Sequence, residues 1–586
     1  MKRLILAALL AFATSVAQAQ TSEQTLTEFE GLWVSENAFG PALRGDLTIT
    51  RTGDSWRANI GDAEVSSSTL DFSFSEGRFH GALSRQGILG WWTQPPGLPG
   101  QAYATPVRLD HIRAGVWRGA ASPLPQTFTL HLRIFHDEEG DWAGAFRNRE
   151  FNMNGGASRF LATRTGDTLS FSTPSDDRAR EAAVVDARRL RLSWPPLPAP
   201  IEFVRATPQQ ELDFRPRPPG QYRYQRPAGA ADGWRTAPAR GVGFDEAALA
   251  ALVQSIASAD PTARRPQLIH SLLVARHGRL VLEEYFHGYD RQTPHDIRSA
   301  GKTFASALLG AAMRGGVGVG PETRIYELMA SQGPFVNPDP RKADMTLAHL
   351  MSHTSGLDCN DYDDASLGSE GAMQSQVEQP DWWRFALDLP MRHAPGERYA
   401  YCTAGTNLVG AALYAATGES VPALFERLIA RPLQFGRYHW NLMPNGEGYL
   451  GGGAYLRPLD LLKLGQAYLN GGVWNGKRIV DRDWVRVSTS SHVEINEATT
   501  GMDADTFANV AIRGADGYGW HRYGVRVGGR MLEAYEANGN GGQFLIVVPE
   551  YDLVVVITGG NYGQGGIWNR WREGIVGQGV IAAIRD

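Results

Sequence analysis

The stretch Asp296-Ile297-Arg298-Ser299-Ala300-Gly301-Lys302-Thr303-Phe304 decides the fold of the second half of this 586-residue chain. Asp296 and Ser299 are residue types that cap helix starts, and apolar residues recur after them at helical spacing (Ala305, Leu308, Leu309, Ala312). The pattern predicts that Ser299 lies in the first turn of a helix, with Lys302 on the same face. Such a serine is suited to nucleophilic catalysis, because the amine can take its proton and the free N–H groups of the helix start can face an oxyanion.

Lysine is a rare residue in this chain. Of the 57 Lys and Arg residues only five are lysines, namely Lys2, Lys302, Lys342, Lys463 and Lys477. A desolvated lysine can lose its proton and act as a base, whereas arginine stays charged. The alternative is an exposed serine followed one turn later by a solvated lysine, and the Ser-x-x-Lys spacing alone does not exclude it.

The first residues have the pattern of a secretory signal peptide. Lys2 and Arg3 form a basic start, Leu4 to Val16 an apolar middle, and Ala17-Gln18-Ala19 a small-residue cleavage site. No later segment reaches about 18 uncharged apolar residues, the length that a spanning helix needs. The net charge of −5 is small for the length. We therefore expect a periplasmic or secreted protein with the signal peptide at 1–19, no membrane span and no nucleic-acid partner.

Residues 27–213 are predicted to form an all-β domain. Short alternating runs such as Leu47-Thr48-Ile49-Thr50 are separated by turns rich in Gly, Asp and Ser. Two tryptophan pairs, Trp33 with Trp56 and Trp117 with Trp142, stand in similar local sequences, which indicates a duplicated unit. We expect a barrel or a sandwich, and we find no catalytic pattern in it.

A Pro-, Gly- and Arg-rich linker at 214–240 leads to a second domain at 245–586. Leu268–Val274 and Leu280–Tyr285 predict a hairpin before the serine helix, and Leu553–Ile557 belongs to another strand pair near the far end. Strands at both ends with helices between them predict a single antiparallel sheet that joins the two ends of the domain.

Two further stretches carry candidate site residues. Tyr401 precedes an apolar helix, and beside a lysine its phenol could relay a proton, although a packing tyrosine fits the pattern as well. Asn538-Gly539-Asn540-Gly541-Gly542-Gln543 precedes a strand, and its glycines allow the backbone to approach a ligand, or form only a flexible turn.

Together these motifs resemble the serine β-lactamase and penicillin-binding-protein superfamily. Ser299-Ala300-Gly301-Lys302 is similar to its Ser-x-x-Lys box, and Thr346 to Leu357 to the Thr-x-x-His-Leu-Leu-x-x-Thr-Ser-Gly-Leu run of class C-like members. Tyr401-Cys402-Thr403 stands where that family has Tyr-Ser/Ala-Asn, and Gly451-Gly452-Gly453 resembles the stretch before its last strands. The resemblance covers about 245–586 and is nearest to the esterase and 6-aminohexanoate-dimer hydrolase branch.

The resemblance implies a fold and a mechanism. The fold is an α+β catalytic domain, an antiparallel sheet flanked by helices with a helical subdomain. Ser299 would form an acyl-enzyme, Lys302 would activate it, and Tyr401 would act as partner base and as acid to the leaving group. The N–H groups of Ser299 and Asn540, next to Gly541, would hold the oxyanion. The implied enzyme is a serine hydrolase of small esters or amides without a cofactor.

Two departures from the family pattern narrow the substrate. Thr403 replaces the asparagine that would grip a substrate amide, and no Lys/His-Thr-Gly box precedes the Phe544 strand. A substrate carboxylate would lack its usual cation, which argues against β-lactamase and DD-peptidase activity. A D-aminopeptidase-like enzyme and a catalytically weak binding or sensor protein remain as alternatives.

The two cysteines of the chain lie near these motifs. Cys359 follows the Ser-Gly-Leu-Asp run and Cys402 adjoins Tyr401, so an exported protein could join them in a disulfide, with two buried thiols as the alternative. The acidic run 360–364 and Trp382-Trp383 could line the rim of a substrate site. Alternatively, the acidic run simply faces solvent and the two tryptophans pack in the core. Neither the calcium-loop spacing nor a zinc pair of histidines is present, and we predict no metal site.

Overall fold

The computed structural model describes residues 26–97, 101–150, 159–173, 176–193, 199–375, 380–504, 507 and 514–585. The predicted signal peptide at 1–19 lies outside these residues. The all-β part contains strands β1–β16: Gly31–Ala38, Gly45–Thr52, Ser55–Ile60, Ala63–Ser67, Asp71–Phe74, Gly77–Ser84, Gly87–Gln94, Ala102–Arg113, Val116–Ala121, Thr127–His136, Trp142–Asn148, Arg159–Thr165, Thr168–Thr173, Asp176–Asp186, Arg189–Leu192 and Ile201–Arg205.

Eight of these strands close into a barrel in the order β1-β10-β11-β12-β13-β14-β15-β16. The alternation of the sequence explains the inside of the barrel, since Phe128, Leu130, Leu132 and Ile134 of β10 are all buried. They pack in one core with buried side chains from the other barrel strands, among them Phe171. The barrel interior is therefore filled by side chains.

The strands β2–β9 form a second β-unit inserted between β1 and β10. Trp56 and Trp117 contact each other in the core of this unit, with ring centroids 5.5 Å apart. Trp33 and Trp142 lie in the barrel core instead. Each tryptophan pair noted in the sequence is thus divided between the two cores, because the chain leaves the barrel after β1 and returns to it at β10.

The second part of the chain, which contains Ser299, has strands β17–β30: Arg235–Thr236, Ile269–Arg276, Arg279–Tyr285, His295–Asp296, His439–Leu442, Ala454–Leu456, Val473–Trp474, Lys477–Arg478, Val493–Ile495, Gly514–Asp516, His521–Val527, Arg530–Gly539, Gln543–Val548 and Leu553–Gly559. Nine of them form one sheet in the order β17-β19-β18-β30-β29-β28-β27-β26-β25. All neighbours are antiparallel except β17 and β19. The first hairpin pairs with the last strand, so the predicted sheet that joins the two ends is confirmed.

The α-helices of the described residues span Pro208–Phe214, Glu246–Ala257, Lys302–Arg314, Ile325–Leu328, Leu347–Met351, Glu370–Ser375, Trp382–Asp388, Thr403–Thr417, Val421–Phe425, Pro458–Leu469, Arg482–Ser488, Glu497–Thr500 and Gly565–Trp568. Helix Lys302–Arg314 is buried from Lys302 to Ala312 and packs on helix Thr403–Thr417. Helix Pro458–Leu469 packs on β18, β29 and β30. No single described helix is long and apolar enough to cross a membrane, and one bent pair, Thr403–Thr417 with Val421–Ala430, meets that test by length and composition.

The inserted β-unit and the second part of the chain share a sheet. Strand β8 pairs with β21, β21 with β22, and β22 with β20, which ends three residues before Ser299. Side chains reinforce the joint: Thr105 Oγ1 and His439 Nδ1 are 2.7 Å apart, and Arg108 Nη2 lies 2.6 Å from Glu426 Oε1. The N-terminal β-structure is therefore continuous with the strand that leads into the serine turn.

Trp440→Ala tests how much this joint contributes to stability. Trp440 is fully buried on β21, pairs with Ala104 of β8, and its ring lies 5.0 Å from that of Phe425. Truncating such a side chain leaves a cavity, so we expect the free energy of unfolding in urea to fall by about 3–5 kcal/mol. Leu83→Ala, at a side chain that is 53% exposed, is the control and should cost far less.

Candidate active site

Ser299 and Lys302 meet at the start of the long buried helix. Ser299 lies in a short 3₁₀ turn, Arg298–Gly301, which runs directly into the α-helix that begins at Lys302. Asp296 Oδ1 accepts a hydrogen bond from the N–H of Arg298 at 3.0 Å, whereas Ser299 does not cap the helix. Its side chain is therefore left for the lysine, whose Nζ lies 3.1 Å from Ser299 Oγ. The same contact, with a neutral amine accepting, is what proton removal from the serine requires.

Burial tunes the lysine toward its neutral form. Lys302 is 4% exposed, and its Nζ also donates to the carbonyl oxygen of Gly451 at 2.6 Å. Desolvation lowers the pKa of Lys302, while the nearby carboxylates of Glu370 and Asp361 act in the opposite direction. Burial is the largest effect, so the environment favours an amine that can accept a proton.

Tyr401 completes this group. The Nζ of Lys302 lies 4.8 Å from the centroid of the Tyr401 ring, and the phenol is hydrogen-bonded to Ser299. Burial raises the pKa of Tyr401 well above its ordinary value, and the hydrogen bond with Ser299 lowers it only in part. The phenol therefore keeps its proton at neutral pH and can donate it. The structure thus brings together the three side chains that the sequence singled out.

Hydrogen bonds hold the loop that carries Tyr401, called the tyrosine loop below, against a second loop. This second loop contains His353 and follows helix Leu347–Met351. The N–H of Ala400 donates to the carbonyl oxygen of His353 at 2.8 Å, and the N–H of Cys402 donates to His353 Nδ1 at 3.2 Å. His353 is 3% exposed, and its ring lies 4.5 Å from the ring of Tyr401. An imidazole that accepts at Nδ1 is neutral, and burial lowers the pKa of His353 to about 3.

A disulfide joins Cys359 to Cys402 in the structure. It links the start of the loop that carries the acidic run 360–364, called the rim loop below, with the residue after Tyr401. The N–H of Asp361, two residues beyond Cys359, donates to the carbonyl oxygen of Tyr401 at 2.8 Å. The rim loop and the tyrosine loop are thus tied both covalently and by hydrogen bonds.

Asp361 is a site residue whose position the sequence did not reveal. Its Oδ2 accepts from the N–H and the hydroxyl of Thr403 at 2.9 and 2.5 Å, and its Oδ1 accepts from the N–H of Glu370 at 2.7 Å. Burial raises the pKa of Asp361 to about 6, with Lys302 acting against the rise. The acidic run 360–364 was the only signal, and it did not show which acid turns inward.

Glu370, Tyr449 and Asn407 also frame the site without having been predicted. The phenol of Tyr449 and the amide of Gln374 donate to Glu370 Oε1. Asn407 Oδ1 accepts from the N–H of Gly451 at 2.9 Å, which orients the carbonyl that holds Lys302. Only the triple-glycine motif 451–453 gave a sequence signal for this support.

The stretch 538–543, called the third motif below, forms the turn between β28 and β29. Gly539 lies against the serine turn, since a Cβ at Gly539 would lie 2.5 Å from the carbonyl oxygen of Ile297. Asn540 is exposed at the turn, and its Oδ1 accepts from the N–H of Gly563 at 2.8 Å. Gly541 has a φ of +95° and packs on Tyr562. The strand end therefore reaches the serine, and the assignment of the Asn540 N–H to the oxyanion site stays a prediction.

The paired tryptophans pack instead of lining a rim. Trp382 and Trp383 are each 5% exposed. Trp382 makes an edge contact with Tyr449, whose ring centroid is 5.2 Å away, and Trp383 contacts Tyr414 at 5.7 Å. The hydrophobic contacts of helix Trp382–Asp388 account for this pair, so the alternative of simple packing is the one that the structure supports.

Comparisons with known proteins give a family match and several similar solved structures. A family model described as Beta-lactamase matches residues 267–564, about half of the chain. Among solved structures, a penicillin-binding protein homolog from Caulobacter crescentus is 14% identical, with 56% of this chain and 96% of that chain covered and a TM-score of 0.43. A family VIII carboxylesterase is 16% identical, with coverages of 56% and 95% and a TM-score of 0.41. A D-stereospecific amidohydrolase from Streptomyces sp. is 13% identical, with coverages of 56% and 98% and a TM-score of 0.42.

His353→Asn tests the neutral histidine behind Tyr401. The folded pKa of about 3 lies below the unfolded value of about 6.5, so the stability that neutral His353 contributes is present above pH 6.5 and is lost as the pH falls toward 3. Between pH 6 and 4 we expect the wild type to lose about 1.4 kcal/mol per pH unit more than the variant, measured by urea unfolding.

The control for this experiment is His80→Asn, whose side chain is 72% exposed. We expect its stability to follow the wild-type pH dependence. Parallel pH profiles for the wild type and His353→Asn would contradict the assignment of a buried neutral imidazole.

Proposed function

Because the chain belongs to the Beta-lactamase family, we propose that it is an exported serine hydrolase that cleaves ester or amide bonds through an acyl-enzyme on Ser299. The family consists of serine hydrolases built on this fold. The observation that carries the proposal is the 3.1 Å contact between Lys302 Nζ and Ser299 Oγ in a buried site that also contains Tyr401. Export is proposed from the signal-like residues 1–19 alone.

In the acylation step, neutral Lys302 takes the proton of Ser299 while the serine oxygen attacks the substrate carbonyl carbon. The negative charge that develops on the carbonyl oxygen is stabilised by the N–H of Ser299 and by that of Asn540 at the end of β28. Tyr401 donates its proton to the leaving alcohol or amine, and Lys302 returns a proton to Tyr401. The leaving group departs and an ester of Ser299 remains.

Water completes the cycle. Tyr401, paired with Lys302, removes a proton from a water molecule that attacks the acyl carbonyl, and Ser299 leaves with a proton from the same pair. Burial of the lysine and the tyrosine supports this exchange, because it lowers the pKa of the ammonium and raises that of the phenol. Ser299, Lys302 and Tyr401 can therefore pass one proton among themselves, so that the serine oxygen does not have to exist as a free alkoxide.

The residue at position 403 favours a simple ester or amide as the substrate over a β-lactam. The side chain of Thr403 has no amide group that could bind a substrate amide. Its backbone N–H and its hydroxyl both donate hydrogen bonds to Asp361 Oδ2. A D-aminopeptidase-like activity is the second candidate, since a serine acyl-enzyme serves amides as well as esters. A binding or sensor protein is disfavoured because Ser299, Lys302 and Tyr401 are all present and in contact.

Ser299→Ala tests the proposal directly. We expect the wild type to react with a fluorophosphonate probe and to hydrolyse p-nitrophenyl acetate, and the variant to lose labelling and at least about 10³-fold in kcat. Ser255→Ala, at an exposed helix position, is the control and should behave as the wild type. Labelling or turnover that persists in Ser299→Ala would refute the proposal that Ser299 is the nucleophile of a serine hydrolase. A panel of p-nitrophenyl esters, amides and D-aminoacyl anilides would then separate an esterase from a peptidase.

The pH dependence of turnover tests the role of Lys302. Only the neutral amine can take the proton, so kcat/KM should rise with pH through the pKa of Lys302. Asp361→Asn removes a charge that favours the ammonium, so the rise should move to lower pH, with a gain on the order of threefold in relative rate on its acid side. Because the pKa of Asp361 is about 6, the two profiles should differ most above pH 6. Asp364→Asn, an exposed acid in the same loop, should leave the profile in place.

A further inference from the structure

We propose that Arg298 recognises a carboxylate on the substrate, so that the natural substrates are esters or amides that carry an acidic group. This inference rests on the proposed function, because it assigns the substrate class of the same site. The sequence predicted that a carboxylate would lack its usual cation near the third motif. The structure places a different cation there.

The backbone of Arg298 is held in a conformation that arginine rarely adopts. Its φ is +50°, in the left-handed region, which is unfavourable for a non-glycine residue. Asp296 Oδ1 accepts the N–H of Arg298, and Gly452 packs against its carbonyl group from the other side. The left-handed residue sets the direction in which the side chain leaves the chain immediately before Ser299.

The guanidinium is fixed by one carboxylate and one ring. Arg298 Nε lies 2.8 Å from Asp296 Oδ2, and its guanidinium carbon lies 4.9 Å from the centroid of Tyr562. The Arg298 side chain is 40% exposed, whereas that of Asp296 is 7% exposed. The arginine is therefore the solvent-exposed member of this ion pair, and the carboxylate is the buried one. The Asp296 contact is made by Nε, and a guanidinium also carries two terminal nitrogens whose planar arrangement suits a carboxylate.

The side chain of Arg298 lies next to the third motif. A Cβ at Gly539 would lie 3.1 Å from the Cβ of Arg298, and a Cβ at Gly541 would lie 2.5 Å from the Tyr562 ring. The guanidinium over Tyr562 thus stands beside the 538–543 turn. The absence of a side chain at Gly539 leaves the room that the arginine side chain uses.

The two acids near Lys302, Asp361 and Glu370, accept hydrogen bonds from neighbouring groups of the protein. Both oxygens of Asp361 accept hydrogen bonds, from Thr403 and from the N–H of Glu370. Glu370 Oε1 accepts from Tyr449 and Gln374. Arg298 is itself paired with Asp296, but its side chain is 40% exposed and it directly precedes the nucleophile in the chain, so it is the cation that an anionic group of the substrate would reach.

The experiment compares two esters that differ only in charge. Mono-p-nitrophenyl glutarate carries a carboxylate, and its methyl ester does not. For the wild type we expect kcat/KM to be on the order of 10- to 100-fold higher for the carboxylate ester. In Arg298→Gln the ratio should fall to near one, mainly through a higher KM for the carboxylate ester, and Arg298→Lys should restore part of it. Arg530→Gln, which removes an exposed arginine paired with Glu550, is the matched control and should keep the wild-type ratio.

A merely structural role of Arg298 would slow both esters equally and leave their ratio unchanged, and that result would overturn the proposal. An absent preference in a wild type that hydrolyses both esters would overturn it as well, while the proposed function would stand. Hydrolysis that persists in Ser299→Ala would instead refute the proposed function.

Binding is measured separately from turnover. Glutarate is titrated by calorimetry into the Ser299→Ala variant and into the double variant Ser299→Ala, Arg298→Gln. We expect the Ser299→Ala variant to bind glutarate and the double variant to bind it with an affinity at least about tenfold lower. Equal binding to both chains, or none to the first, would overturn the recognition of a carboxylate even where no ester is turned over.

Discussion

The burial of one ammonium group beside a serine is the constraint on which the rest of the structure depends. Lys302 is almost without solvent contact, and its Nζ is held by a backbone carbonyl and by Ser299. Removing a charge from water is costly, and this cost is what makes the amine ready to be neutral. The surrounding elements exclude water from the group and hold its two partners. A buried lysine of this kind needs rigid walls, and the helix packing and the nine-stranded sheet provide them.

Two loops far apart in the sequence form the opposite wall. The disulfide between Cys359 and Cys402, the Asp361 contacts with Thr403, and the backbone bonds to His353 hold Tyr401 against the lysine. Charges in this wall are satisfied by backbone N–H groups and hydroxyls. They therefore act on Lys302 through space without competing for its hydrogen bonds.

The N-terminal β-structure is part of the same framework. Through β8 it continues the sheet that ends in β20, and β20 leads into Arg298 and Ser299. Tyr103 of β8 packs edge-on against Tyr455 of β22, with ring centroids 5.4 Å apart. The inserted unit therefore supports the strand that positions the nucleophile and the proposed carboxylate-binding arginine. The barrel proper, by contrast, has a core of its own.

Local sequence determined the elements of this protein that depend on spacing along the chain. The Ser299–Lys302 pair, the first hairpin, the all-β first half and the motif around Tyr401 follow from periodicity, turn residues and family resemblance, since these signals involve residues close in sequence. Tertiary structure alone decided which acid turns inward, that the two tryptophan pairs are divided between two cores, and that β8 extends a hydrolase sheet. It also placed Arg298 beside the third motif. These features join residues that are tens to hundreds of positions apart, and desolvation and strand pairing across such distances leave no periodic trace in the sequence.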